Sequence, residues 1–272
     1  MKLAFSTLAC PDWKLPEIIS IASAAGYDGI ELRFVQNEDS LWKLPVFQGT
    51  ARAATKRTLS DHGLAICCVD TSCRFHFPDA GERNRWLEEG ERMAELAAAL
   101  GAPGIRVFGD TIQPGADRAS TRSWIADSLR ALAEKTSMRG VEVWLETHGD
   151  FAAASETAAI LSEAAHSAVA VIWDPANCFL ESHEPPVEGA KKLATSIRHV
   201  HLKDLLHGDG DGKLVLSGQG NFPLAEVQAA LCQLGYKGFV SFEWEKKWHP
   251  EIPDATIALP HFTRWFRENF EP

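Results

Sequence analysis

The chain has 272 residues, 45% of them hydrophobic, and a formal net charge of −10. That is enough apolar material for one large core spanning residues 1–272 as a single domain. The acidic balance argues against nucleic acid and an anionic membrane surface as partners, since both draw on a basic footprint, and no apolar run approaches the roughly 18 residues of a spanning helix.

Taken in chain order, short β-branched or aromatic runs alternate with segments of helical period. Lys2–Thr7 predicts a strand and Leu15–Ala25 a helix closed by Gly26. Asp28–Leu32 predicts the second strand, and residues 48–62 a helix closed by Gly63. Leu64–Val69 is the third strand, followed by a loop and a long helix near Gly81–Leu100, closed by Gly101. Gly104–Phe108 is the fourth, with a helix over residues 118–137 ending before Gly140. Strands five to eight are the runs ending near Leu145, Trp173, Leu202 and Phe242, with helices near residues 153–166, 186–196, 223–234 and 254–269. Glycine recurs just past the helices, where a left-handed cap is wanted. Eight strictly alternating units without a composition break imply an α/β fold, a closed (β/α)8 barrel. An open doubly wound sheet would want Gly-x-Gly-x-x-Gly after strand one, where Ser6-Thr7-Leu8-Ala9-Cys10-Pro11 stands. The same Thr7–Cys10 stretch resembles a lipoprotein cleavage site, but the apolar run before it is too short for a secretion signal. The six cysteines form no Cys-x-x-Cys pair and suit a reducing compartment, so the cytoplasm is expected.

Barrel enzymes place their chemistry at the C-terminal strand ends. Four runs in the second half of this chain end there in a residue that can hold a metal: Glu146, Asp174, His201 and Glu243. His199 competes with His201, since period two puts both on one face; His201 is nearer the strand's end. Three carboxylates and an imidazole converging at one sheet edge would repel one another unless a divalent cation sat between them. Such an oxygen-rich set suits Mn or Mg and tolerates Zn or Co. Candidate substrate-binding residues at neighbouring strand ends are His148, Asn177 and Lys203, together with Glu31 and Arg33, which alternate at the end of strand two and could equally pair with each other.

These segments also carry a resemblance. Tyr27-Asp28-Gly29-Ile30-Glu31-Leu32, Leu145-Glu146-Thr147-His148-Gly149, Trp173-Asp174-Pro175-Ala176-Asn177 and His199-Val200-His201-Leu202-Lys203-Asp204 look like the xylose-isomerase-like TIM-barrel superfamily. Ser217-Gly218-Gln219-Gly220 and Phe242-Glu243-Trp244-Glu245 are similar to the closing segment of its sugar phosphate isomerase/epimerase branch. The resemblance implies one divalent metal ion with Glu146, Asp174, His201 and Glu243 as ligands. It departs from the ketose 3-epimerases at Ala152, Asn177 and His207, where those proteins carry Glu, His and Arg.

The function expected is a metal-dependent isomerase or epimerase of a polyhydroxy carbonyl compound. The metal acidifies a C–H beside the carbonyl, and Glu146 and Glu243 move the proton through an enediolate. The alternative is a dehydratase or lyase acting on an inosose or dehydroshikimate-like ring. A further alternative is a catalytically inactive barrel serving as a binding subunit. A nuclease is disfavoured by the charge and by Asn177, where that family has His. Relatives are often dimers or tetramers, which leaves a homo-oligomer open. Gly218-Gln219-Gly220 lacks the Lys and hydroxyl of a phosphate loop, and Asp209-Gly210-Asp211-Gly212 suits a hairpin turn rather than a calcium loop.

Overall fold

A computed structural model of the chain describes residues 1–208 and 210–270. The strands are β1 (Lys2–Ser6), β2 (Gly29–Leu32), β3 (Ala65–Arg74), β4 (Gly104–Phe108), β5 (Glu142–Glu146), β6 (Val169–Trp173), β7 (Ile197–Leu202), β8 (Asp204–Gly208), β9 (Gly210–Val215) and β10 (Phe239–Phe242). Eight of these close into a barrel in the order β1-β10-β7-β6-β5-β4-β3-β2, and β8 and β9 form a separate two-stranded sheet. The (β/α)8 architecture expected from the alternating pattern is therefore observed.

The helices are α1 (Leu15–Ala25), α2 (Gly49–Asp61), α3 (Ala80–Leu100), α4 (Arg118–Thr136), α5 (Ala154–Ala164), α6 (Pro175–Ser182), α7 (Pro186–Leu193), α8 (Leu224–Gln233) and α9 (Ala255–Asn269). Their ends follow local chemistry. Asp79 accepts from the Glu82 N–H at the start of α3, and Gly101 stops that helix at φ 88°, returning its N–H to Ala97 and Ala98 carbonyls.

Three segments differ from the sequence reading. β3 runs on to Arg74, because pairing with β4 resumes at Arg74 opposite Phe108 after a register shift, and the Thr71 hydroxyl donates to the Arg106 carbonyl. A helix, α6, follows Asp174 directly, since that side chain accepts from the N–H groups of Ala176 and Asn177 while Pro175 sits at the first helical position. The connection after β7 holds the antiparallel β8–β9 pair. Asp209, at the tip of the predicted hairpin turn, lies outside the described residues.

The barrel divides into two compact halves, Met1–Cys67 with His199–Pro272, and Cys68–Arg198. In the first half Phe5, Ile30 and Phe242 are fully buried, and Phe242 stacks on Phe262 of α9 at 4.1 Å. In the second half Cys68, Trp144, Ala170 and Ile172 form a buried cluster. Gly104 makes room for that tryptophan, since a Cβ there would lie 2.3 Å from the indole. All six cysteines are free, and five are buried. Among the described residues no helix is long and apolar enough to cross a membrane.

Candidate metal centre

In the first half, β7 and β10 run side by side with His201 opposite Ser241, and the Glu243 N–H continues the ladder to the Leu202 carbonyl. That register brings the end of β10 beside His201, whose Nδ1 lies 3.3 Å from Glu243 Oε1. Lys203, one residue past β7 and buried, donates to Glu243 Oε2 at 2.6 Å and to Glu245 Oε1 at 2.8 Å. Burial pushes the Glu243 carboxyl up, but the Lys203 ammonium and His201 outweigh it and hold it well below the usual carboxylate range. Glu31, paired in register with Ser6 of β1, accepts from His199 Nε2 and lies 3.1 Å from His201 Nε2. Burial acts upward on its carboxyl too, and the two histidines again reverse the balance. Arg33, two residues on and buried, turns its guanidinium over the Phe34 ring and lies 3.9 Å from Asp39.

In the second half, Glu146 ends β5 and Asp174 follows β6 directly. Thr147 locks the two strand ends together: its hydroxyl accepts from the Asp174 N–H at 2.8 Å and donates to the Asp174 carbonyl at 3.2 Å. Asn177, in the first turn of α6, donates to Glu146 Oε1 at 3.3 Å and to the Thr147 carbonyl at 3.1 Å. Arg106 donates to Glu146 Oε2 and sits 3.7 Å from Asp70. His148 is half-exposed, its ring tilted against Phe108 at 4.9 Å, with Nδ1 3.5 Å from Asp110 Oδ1.

Sequence reasoning missed Arg106, and it missed that His199 pairs with Glu31. Arg106 could have been suspected as the one charge in the apolar run Gly104-Ile105-Arg106-Val107-Phe108. His199 appeared only as a rival ligand, and nothing local pairs it with Glu31.

One donor atom each from Glu146, Asp174, His201 and Glu243 falls within 4.8 Å of the others, and all four side chains are buried. Three carboxylates and one imidazole at that spacing match the donor chemistry of a divalent cation with borderline to hard preferences. Arg106 and Lys203 offset part of the negative charge, and a cation at the cluster would offset the rest.

Comparison with known proteins agrees with this architecture. The chain is 30% identical over 132 residues to a 3-dehydroshikimate dehydratase of Pseudomonas aeruginosa, a match covering 48% of this chain and 19% of that longer protein. Among solved structures, the IOLI protein with a binding zinc atom superposes with a TM-score of 0.82 at 18% identity, covering 99% of this chain and 98% of that one. An L-ribulose 3-epimerase superposes with a TM-score of 0.81 at 17% identity, covering 99% and 94%. At these identities the two structural likenesses speak to the fold. The model of the xylose isomerase-like TIM barrel family matches residues 19–266, and the chain belongs to that family.

Proposed function

We propose that this protein is a divalent-metal-dependent isomerase or epimerase of a polyhydroxy carbonyl compound, working by proton transfer between Glu146 and Glu243. The observation that carries the reading is the buried four-donor cluster, with a glutamate contributed by β5 and another by the end of β10. Mn or Mg is the ion proposed, with Zn or Co tolerated. When bound, such an ion supplies the positive charge that acidifies a C–H beside a substrate carbonyl.

The chain's own residues do the rest. Glu243 is held ionised by Lys203 and His201, so it is ready to accept a proton from carbon at neutral pH. Glu146 accepts from the Arg106 guanidinium, and the Asn177 amide fixes its orientation. One glutamate takes the proton and the other returns one at the same or the adjacent carbon, through an enediolate. His148 is the half-exposed polar side chain available to touch substrate, with Asn177, Lys203, Glu31 and Arg33 as the other candidates. The reading takes residues 1–272 as a single domain working in the cytoplasm, in keeping with its free cysteines.

A second reading is a dehydratase or lyase acting on a dehydroshikimate-like or inosose ring. The dehydratase relative favours it, and so does Lys203, an ammonium at Glu243 that could protonate a departing hydroxyl. Both readings begin with the same proton abstraction.

The test is turnover of the Mn-loaded protein on ketoses, inososes and cyclic keto acids in deuterated water. Isomerisation or epimerisation is expected to place solvent deuterium on the product carbon without a change in ultraviolet absorbance. Elimination would instead create a conjugated, absorbing product and establish the second reading. Glu146→Gln and Glu243→Gln should each lower turnover by about 10²–10⁴-fold, the usual contribution of general acid–base catalysis. Product free of solvent deuterium, with internal return excluded, would count against proton transfer. Metal binding without turnover on any substrate would leave a binding barrel.

A further inference from the structure

We propose that Arg74 and Asp110 form a substrate-contacting pair that reads two neighbouring hydroxyls of a neutral polyol, at the end of the substrate away from the carbonyl. The inference deepens the proposed function and rests on its reading of a polyhydroxy substrate. Arg74 closes β3, where it pairs with Phe108 of β4, and Phe108 pairs in turn with Glu146 of β5. Phe108 shares a strand face with Arg106, two residues before it, whose guanidinium reaches Glu146. Register thus carries Arg74 to the strand ends of the second half, level with Glu146, and its side chain stays 38% exposed there. Two strand spacings, about 10 Å, separate β3 from β5, which places the pair beyond the reacting carbon rather than at it. Arg74 Nη1 donates to Asp110 Oδ2 at 3.2 Å, and Nε donates to the Ser72 carbonyl at 3.4 Å. Among the described residues these bonds fix the guanidinium and leave Nη2 its hydrogens to offer.

Asp110 is held just as firmly. It is a non-glycine residue at φ 62°, a left-handed conformation that persists where the surroundings impose it. Its carbonyl accepts from the Asp150 N–H at 3.2 Å, and Asp150 Oδ2 accepts from the Ile112 N–H at 2.7 Å, so the loops after β4 and β5 lock each other. Gly149 permits the approach, since a Cβ there would lie 2.8 Å from the Asp110 carbonyl oxygen. The carboxylate so fixed only accepts, the guanidinium only donates, and a hydroxyl does both. Adjacent hydroxyls of a polyol therefore match the pair, one donating to Asp110 and the other accepting from Arg74. The two charges cancel, and burial holds the neighbouring His76 toward its neutral form, so the pair offers no surplus positive charge to a phosphate or carboxylate. Phe108 and the half-exposed His148 ring, 4.9 Å apart, add the apolar surface that suits the C–H face of such a ligand.

The experiment titrates the protein, in the presence of Mg, with D-fructose, D-tagatose, D-ribulose and myo-inositol, and with D-fructose 6-phosphate as a charged counterpart. Arginine Nε–H signals in ¹H–¹⁵N spectra are followed; that of Arg74 is identified by its loss in Arg74→Lys, whose folding is checked by circular dichroism. At least one neutral polyol should shift the Arg74 signal, and fructose 6-phosphate should bind no more tightly than fructose. Arg74→Lys keeps the charge beside Asp110 and loses the planar fork. It should bind the same polyol about 10–100-fold more weakly, the usual loss of a hydrogen bond to a charged group. Tighter binding of the phosphate, wild-type binding by folded Arg74→Lys, or no shift with any neutral polyol would each overturn the pair. If a polyol binds through Arg74 with neither turnover nor exchange of a C–H with solvent, the isomerase reading fails and the diol site stands. Turnover in which Arg74→Lys leaves KM and binding untouched overturns the pair and leaves the isomerase reading standing.

Discussion

Asp110 ties a strand-end residue to the acid stability of the protein. It is a non-glycine residue at φ 62°, and it gathers Arg74 at 3.2 Å, His148 at 3.5 Å and His76 at 3.8 Å around one carboxylate. Burial pushes its carboxyl up, but the His148 hydrogen bond and the charges of His148, Arg74 and His76 outweigh it, so the net shift is downward. A carboxyl depressed in the folded state contributes stability above its unfolded pKa, near ~3.9, and loses it as pH falls through the lower folded value. His76 also titrates low, chiefly because burial disfavours its charged form, with Asp110 and the Gly109 carbonyl opposing. The unfolded chain then takes up that proton first, so stability also falls as pH drops below the ordinary imidazole value, roughly 6.5. Thermal unfolding across pH should therefore show a decline beginning near neutrality and a second one below about pH 4. Asp110→Asn should be less stable than wild type at pH 7, with the gap closing at the acid end. A gap independent of pH would remove Asp110 from this role.

At the scale of elements, Gly104 and α6 carry the argument. Gly104 opens β4, pairs in register with Glu142 of β5, and leaves space for Trp144, whose indole donates to Glu142 Oε2 at 2.7 Å. Gly104→Ala drives a methyl into that ring, so either the strand or the indole must shift, and β4 carries Arg106 to Glu146. Overpacking of this kind costs about 1–3 kcal/mol, to be read as a lowered denaturation midpoint with an unchanged slope. α6 was not legible in the sequence because it opens on Pro175 directly behind the strand-end Asp174, where Pro175-Ala176-Asn177 reads as a loop. Its start depends on Asp174 serving as cap and metal-ligand candidate at once. The extension of β3 was hidden because Asp70-Thr71-Ser72-Cys73 reads as loop, and only the pairing of Asp70 with Arg106 and of Arg74 with Phe108 on β4 makes it strand.

For the whole molecule, a metal that binds the folded chain and not the unfolded one must raise its stability. At an ion concentration a hundred times Kd the gain is about 2.7 kcal/mol, which for a chain of this size corresponds to roughly 5–10 °C in Tm. Addition of Mn should produce that shift, a chelator should reverse it, and Asp174→Ala should not show it. The eight alternating units, and the strand ends carrying Glu146, Asp174, His201 and Glu243, were determined by the sequence by itself. Strand and helix announce themselves through local period, and a polar residue closing an apolar run is visible without knowing its neighbours. Which groups meet was decided only by the tertiary structure. Arg106 finds Glu146 across 40 residues and His199 finds Glu31 across 168. Those pairings depend on strand register and barrel order, quantities set by long-range packing and closure, which no local pattern carries.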